Sequence, residues 1–356
     1  MSVLSYQEYQ TFKAHFETEL AQKTSKHIEV MSSSEAPQTY VVIIGESTSS
    51  WHMQLYGYPR ETNPELFEIK EELLVFDSVI SPNVHTILSL EKILTFSDYK
   101  TPNKVNNTSV VQLANQAGFR TYWLSSQRPI GLHESVAATF AKAAHKSIYT
   151  NTEDYDYPIF DDSLLPELDA ILDDGEHKRL IFIHLIGTHI PYSKRYPKSF
   201  DYFSDKNLDS KFKGSNVIDM INTYDNAIRY NDHIVRSIIE KVRSKHIISY
   251  VTYFSDHGEE VYDTMNFLGH NEYHATRPMY EVPFMVWFSE AYKLKTEKNY
   301  DIDILKRPYN LEDFIFSFAE ISQIQFKGFN ENKSIFNPNF TKKTRWIKKN
   351  IDYDNR

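Results

Sequence analysis

Cysteine is absent from the 356 residues. That removes disulfide staples, thiolate metal ligands, thiol catalysis and any nucleophile made from cysteine, and it leaves the redox compartment open. Long apolar runs are missing as well. The longest, Tyr40 to Gly45 and Leu180 to Gly187, are of strand length, against the ~18 residues a membrane-crossing helix needs, so the chain reads as soluble as it stands. The N-terminus has no basic start leading into an apolar segment, and no signal peptide is expected. Positive charge is scarce: 39 Lys and Arg face 48 Asp and Glu, for a net charge of -9. Such a balance argues against a protein that grips nucleic-acid backbones. What is present, 41% hydrophobic and 24% charged residues, suffices for a sizeable core in one large or two ordinary domains.

Tyr6, Tyr9, Phe12, Phe16 and Leu20 recur at near-helical spacing and predict an amphipathic N-terminal helix, packed on the main domain rather than laid on a membrane, since Lys and Arg do not enrich its polar face. Three serines and Pro37 make Met31 to Gln38 read as a linker. The expected division is therefore residues 1–36 as helix and linker, and 37–356 as the main domain. Short apolar runs predict strands at Tyr40 to Ile44, Leu73 to Ile80, Thr121 to Leu124, Leu180 to Leu185, Ile247 to Phe254 and Phe284 to Phe288. Helical patterns fall between them at Thr86 to Thr95, Ser109 to Ala117, Ser163 to Leu172, Val217 to Val242 and Leu311 to Ile321. Alternating strands and helices indicate an α/β fold around a mainly parallel sheet with helices on both faces, its site beyond the C-terminal strand ends. Tyr192 to Gly214, rich in basic and aromatic residues, reads as an irregular insertion near that site.

Metal-binding side chains gather just after the strands. Glu46 follows the first in Gly45-Glu46-Ser47; Asp256 and His257 follow the fifth in Ser255-Asp256-His257-Gly258-Glu259. Two carboxylates and an imidazole suit zinc. Thr86 stands where a helix begins, where free backbone N–H groups favour a phosphoryl oxygen, and a metal-activated hydroxyl there could attack phosphorus. Taken alone, Thr86 reads as a helix N-cap and Asp256-His257 as a surface turn. The order of the pieces raises the chemical reading. His189 and His270 share the loop setting and could bind a second metal or the substrate phosphate, or protonate a leaving oxygen, whereas His184, inside an apolar strand, reads as a satisfied core histidine. The C-terminal cluster Lys342, Lys343, Arg345, Lys348 and Lys349 could approach anionic headgroups, but reads first as a solvated face.

Longer motifs carry a resemblance. Ile43-Ile44-Gly45-Glu46-Ser47-Thr48 and Leu55-Tyr56-Gly57-Tyr58-Pro59-Arg60-Glu61-Thr62-Asn63-Pro64, then Phe76-Asp77-Ser78-Val79-Ile80-Ser81 leading to Thr86, His184 to Pro197, Tyr224 to Tyr230, and Ser255 to Glu259 resemble, in order, the bacterial phosphoethanolamine transferases. These form part of the sulfatase-like branch of the alkaline phosphatase superfamily, and the matches span about residues 40 to 290. The resemblance implies a sulfatase-like sandwich. It implies zinc held at Glu46, Thr86, Asp256 and His257, with Thr86 as the nucleophile that carries phosphoethanolamine as a covalent phosphothreonine. It places His189 and His270 at positions that bind the transferred phosphate or an additional zinc.

The implied donor is phosphatidylethanolamine and the implied acceptor a lipid A phosphate, a lipopolysaccharide core sugar or another envelope glycan. The implied setting is the periplasmic face of the bacterial inner membrane, with a transmembrane bundle outside this sequence and a monomeric catalytic part. Many members have Cys-Gly-Thr around the nucleophile, whereas this chain reads Ser81-Pro82-Asn83-Val84-His85-Thr86. That departure leaves the acceptor open. A phosphoglycerol transferase or phosphodiesterase using the same threonine is the nearest rival. A sulfatase is disfavoured because Ile87-Leu88-Ser89-Leu90 follows the threonine. A catalytically dead binding module would not be expected to keep Glu46, Thr86, Asp256 and His257 together.

Overall fold

The computed structural model describes residues 16–100, 107–129, 135–206, 208, 210–298, 300–348 and 350–355. Its frame is a sheet of seven strands: β1 (Gln38–Gly45), β2 (Leu73–Val75), β3 (Arg120–Ser125), β4 (Lys146–Tyr149), β5 (Lys178–His184), β6 (Ile248–Ser255) and β7 (Phe284–Phe288). Their spatial order is β2-β7-β6-β1-β5-β3-β4. β6, β1, β5, β3 and β4 run parallel, while β7 is antiparallel to both β6 and β2, so the sheet is mixed.

β1 is buried along its whole length and apolar from Tyr40 to Ile44 because both its faces are covered. Tyr40, Val42 and Ile44 point into one core layer, which also holds residues of α1 (Thr86–Ile93), α2 (Val110–Gln116), α3 (Ser135–Ala143) and α6 (Phe314–Ile321). Val41 and Ile43 point into the other, with α4 (Leu165–Leu172) and α5 (Ser215–Arg243). Each such aliphatic side chain contributes on the order of 1.5–3 kcal/mol by leaving water. Fixing β1 between two helical layers fixes where Gly45 ends and Glu46 begins.

Three expectations change. The run Leu73 to Ile80 is not one strand: β2 stops at Val75, and Val79–Ile80 pairs in parallel with Tyr309–Asn310. Between them Phe76 turns into the core and the Asp77 N–H donates to the Leu305 carbonyl at 2.8 Å. The serine-rich linker contains a strand, Val30–Ser32, paired antiparallel with Gln325–Phe326, and Gln38 already belongs to β1. Most of the N-terminal helix lies outside the described residues; Phe16–Leu20 forms a single π-helical turn. Leu20 is buried in the core, and Gln112 Nε2 donates to the Glu19 carbonyl at 2.9 Å, so this part packs on the main domain. Two of the C-terminal cations are neutralised from within: Lys343 pairs with Glu312 at 3.0 Å and with Asp313, and buried Arg345 pairs with Asp354; Lys349 lies outside the described residues. Among the described residues no helix is long and apolar enough to cross a membrane.

His184, at the end of β5, is buried. Gln127 Nε2 lies 3.1 Å from its Nε2 and Ser125 Oγ 3.3 Å from its Nδ1, a neutral, satisfied arrangement. Burial pushes the imidazole down to about 4. A histidine lowered on folding contributes stability that is present above its unfolded value near 6.5 and is lost as pH falls from there to about 4, amounting to roughly 3 kcal/mol. Denaturant unfolding between about pH 7 and pH 4 should show this loss, with a shallower slope in His184→Gln; an unchanged slope in the variant would contradict it.

Candidate active site

The C-terminal ends of β1 and β6 lie side by side, Gly45 paired with Ser255, so the next residue of each, Glu46 and Asp256, emerges at the same edge. Thr86 arrives from a third direction as the first residue of α1. His85 occupies the N-cap position and uses no side-chain capping bond. The Thr86 hydroxyl is turned inward instead, 3.2 Å from Glu46 Oε2, 3.4 Å from Glu46 Oε1 and 3.4 Å from His257 Nε2. His257 Nε2 stands 3.3 Å from Glu46 Oε1 and 3.6 Å from Asp256 Oδ2. The four residues expected to form a metal site therefore share one point in space.

The donor set fits a metal. His257 Nδ1 is 2.8 Å from the Gly258 carbonyl, so it carries a proton, and Nε2 is the ring nitrogen that faces the carboxylates and would bind a metal on giving up its own proton. Asp256 Oδ1 accepts the backbone N–H groups of Ser47 (3.2 Å) and His257 (2.7 Å). Its Oδ2 is buried with no hydrogen-bond partner among the described residues, a costly state for a carboxylate oxygen unless a cation serves it. Ligand atoms of buried Glu46, Asp256 and His257 all lie within 4.8 Å of one another.

The electrostatics agree. Burial, with Glu46 beside it, pushes Asp256 up to about 8. Burial opposes ionisation of Glu46 too, but the His257 hydrogen bond and charge outweigh it and hold Glu46 well below the usual carboxylate range. Burial likewise opposes a charged His257, yet Asp256 and Glu46 push it up to about 10. Two buried carboxylates beside one imidazole compete for positive charge and could hold a cation.

The backbone around Glu46 is tightly held. Leu185 N–H donates to the Ile44 carbonyl and Thr188 N–H to the Glu46 carbonyl, both at 3.0 Å. Gly187, at φ +52°, passes so close that a Cβ would sit 2.8 Å from the Glu46 carbonyl oxygen. The buried Asp161 carboxylate accepts the N–H groups of Ile186 and Gly187. Arg195, buried in the Tyr192 to Gly214 segment, donates to the His189 carbonyl at 2.9 Å. His189 itself lies against Tyr155, ring centres 4.7 Å apart and ring planes tilted by 47°.

His270 lies next to His257, ring centres 4.2 Å apart, and its Nδ1 is 2.7 Å from Glu259 Oε2. His257, Glu259 and His270 form a second group that could hold an ion. Glu259 is buried and also accepts the Tyr192 hydroxyl at 2.8 Å; it stood in the quoted Ser255 to Glu259 motif without a role. Its signal was its place three residues past Asp256 on the same strand exit. Glu272 was also missed. Its Oε1 accepts Asn83 Nδ2 at 3.0 Å and the Val84 N–H at 2.9 Å, holding the turn before Thr86.

This fold and this edge-of-sheet cluster define the class. The chain belongs to the sulfatase family, whose model, described as Sulfatase, matches residues 38–321, and its fold is alkaline-phosphatase-like. Within that family its likeness is to the bacterial phosphoethanolamine transferases. It is 37% identical over 337 residues to the phosphoethanolamine transferase EptC of Escherichia coli (strain K12), covering 90% of this chain and 58% of that protein. The same figures hold for the phosphoethanolamine transferase CptA of Salmonella typhimurium (strain LT2). The chain thus spans 58% of the length of these curated relatives. In structure it matches the C-terminal periplasmic domain of E. coli EptC in complex with Zn, with a TM-score of 0.86 and 35% identity, covering 93% of this chain and 96% of that one.

Proposed function

We propose that residues 37–356 are the catalytic domain of a zinc-dependent phosphoethanolamine transferase, with residues 1–36 leading into it, acting at the periplasmic face of the inner membrane. The observation that carries this reading is the Thr86 hydroxyl placed between Glu46 and His257, beside the unpartnered Asp256 Oδ2. Glu46, Thr86, Asp256 and His257 would hold the metal. When bound, zinc would supply Lewis-acid charge that lowers the pKa of the threonine hydroxyl.

Thr86 Oγ1 gives up its proton to solvent and forms a bond to phosphorus of phosphatidylethanolamine while the bond to the diacylglycerol oxygen breaks, and the N-terminus of α1 faces the phosphoryl oxygens. The departing alkoxide takes a proton from the His189 or His270 side of the site. An acceptor oxygen of lipid A or of a lipopolysaccharide core sugar attacks the phosphothreonine in the second step, and Thr86 leaves with its electron pair. His189 and His270 serve the transferred phosphate, or, in the case of His270 with Glu259, a second ion.

Vesicles of phosphatidylethanolamine and of phosphatidylglycerol, each offered to the protein with lipid A, test the donor. Release of diacylglycerol and gain of phosphoethanolamine by lipid A with the former alone is the expected result. Turnover of phosphatidylglycerol would favour the phosphoglycerol transferase, and release without any acceptor a phosphodiesterase.

A further inference from the structure

Ser47 is the residue between the first metal-ligand candidate and the rest of the chain, and its geometry is unusual. It is buried and holds φ at +56°, in the left-handed region that a non-glycine residue keeps only where the surroundings enforce it. Two hydroxyls enforce it here. Tyr224 donates to the Ser47 carbonyl at 2.7 Å and Thr188 at 2.8 Å, and the Tyr224 oxygen in turn accepts the Ser49 N–H at 2.9 Å.

Both donors of Ser47 point into the site, and the left-handed φ sets the direction of its Cβ and hydroxyl. Its Oγ donates to Glu46 Oε1 at 2.8 Å and its N–H donates to Asp256 Oδ1 at 3.2 Å. One residue therefore clamps the carboxylates of two different strand ends.

We infer that Ser47 is a positioning residue: its hydroxyl, placed by the left-handed backbone, and its N–H, placed by the peptide plane shared with Glu46, orient Glu46 and Asp256 toward a shared cation. An ordinary extended φ at this place would swing the Cβ and its hydroxyl away from Glu46. A carboxylate accepting a hydrogen bond on one oxygen keeps its other lone pairs for a ligand and loses rotational freedom about its last bond. The inference rests on the reading of Glu46, Asp256 and His257 as a zinc site, and the backbone strain offers a way to separate orientation from general stability.

Ser47→Gly removes the hydroxyl and relieves the φ penalty, whereas Ser47→Ala removes the hydroxyl and keeps the penalty. Zinc affinity, measured by competition with a chromogenic chelator, should fall about 10- to 100-fold in both variants. The thermal midpoint of the metal-stripped protein should stay level or rise in Ser47→Gly. A purely structural serine would move affinity and stability together. Glu46→Ala is the control. If it weakens zinc binding and both Ser47 variants bind within twofold of the parent, the positioning role is refuted while the site stands. If Glu46→Ala leaves zinc affinity unchanged, the site reading fails and the inference with it.

Discussion

Thr86→Ala is expected to abolish covalent labelling of the protein by phosphatidylethanolamine carrying a labelled headgroup. Transfer to lipid A should fall by about a thousandfold or more, the usual scale for removing a nucleophile. The size of the effect follows from geometry. The hydroxyl at the first turn of α1 lies within 3.4 Å of both Glu46 and His257, and the capping position before it is filled by His85, so Thr86 is not needed to close the helix. The variant should therefore fold, which circular dichroism checks, and Glu46, Asp256 and His257 should still bind zinc. Thr86→Ser, which keeps an attacking oxygen, should retain labelling at a reduced rate. Intact-mass measurement gives the readout: a parent protein that gains one phosphoethanolamine and an alanine variant that gains none. Labelling that persists in Thr86→Ala would move the nucleophile elsewhere.

Gly258→Ala should be the most damaging small substitution near the site. A Cβ there would lie 2.1 Å from the Pro278 carbonyl oxygen and 3.3 Å from that of Glu281. These are backbone atoms that cannot swing aside like the end of a side chain. The Gly258 N–H also donates to the Met279 carbonyl at 2.9 Å, and Pro278, Met279 and Tyr280 are buried, which leaves the segment no open side to move into. Forcing a methyl group into such a contact costs about 3 kcal/mol. The Gly258 carbonyl also orients His257 through its Nδ1, so any shift is passed to the imidazole. Urea denaturation and zinc titration should show a destabilised protein with more than tenfold weaker metal binding. Parent-like stability would mean that the two segments part more easily than their packing indicates.

How far the sequence could be read depended on burial. β1, β5, β6 and β7 were legible because both faces are covered and each carries a run of buried, mostly apolar residues, and the residues that follow β1 and β6 could be singled out as candidate metal ligands before any contact was known. β4, with Lys146 and Ser147 exposed at the sheet edge, carries no such run and was missed. The strand inside the supposed linker was missed for a related reason: Val30–Ser32 has two exposed residues among its three, and its partner, Gln325–Phe326, lies at the far end of the chain. At the site, residue type betrayed Glu46, Asp256 and His257, since buried carboxylates after strands call for partners. Ser47 and Glu272 stayed hidden because their contributions lie in a backbone angle and in a loop contact across the fold.

The strand order has a consequence for how the molecule comes into being. β1 precedes β5 and β6 in the chain, yet it is sandwiched between them, with Gln38 paired to both Lys178 and Ile248. Until Ser255 is available, β1 has one open hydrogen-bonding edge and an apolar run with nothing beside it, a template for pairing with other chains. Closing such distant pairs is entropically slow. The cluster of Glu46, Asp256 and His257, which needs both ends of that wait, forms only after β6 has joined β1. A chain emerging from a ribosome would thus keep the edge of β1 open until Ile248 to Ser255 have followed it, and would assemble this cluster only then.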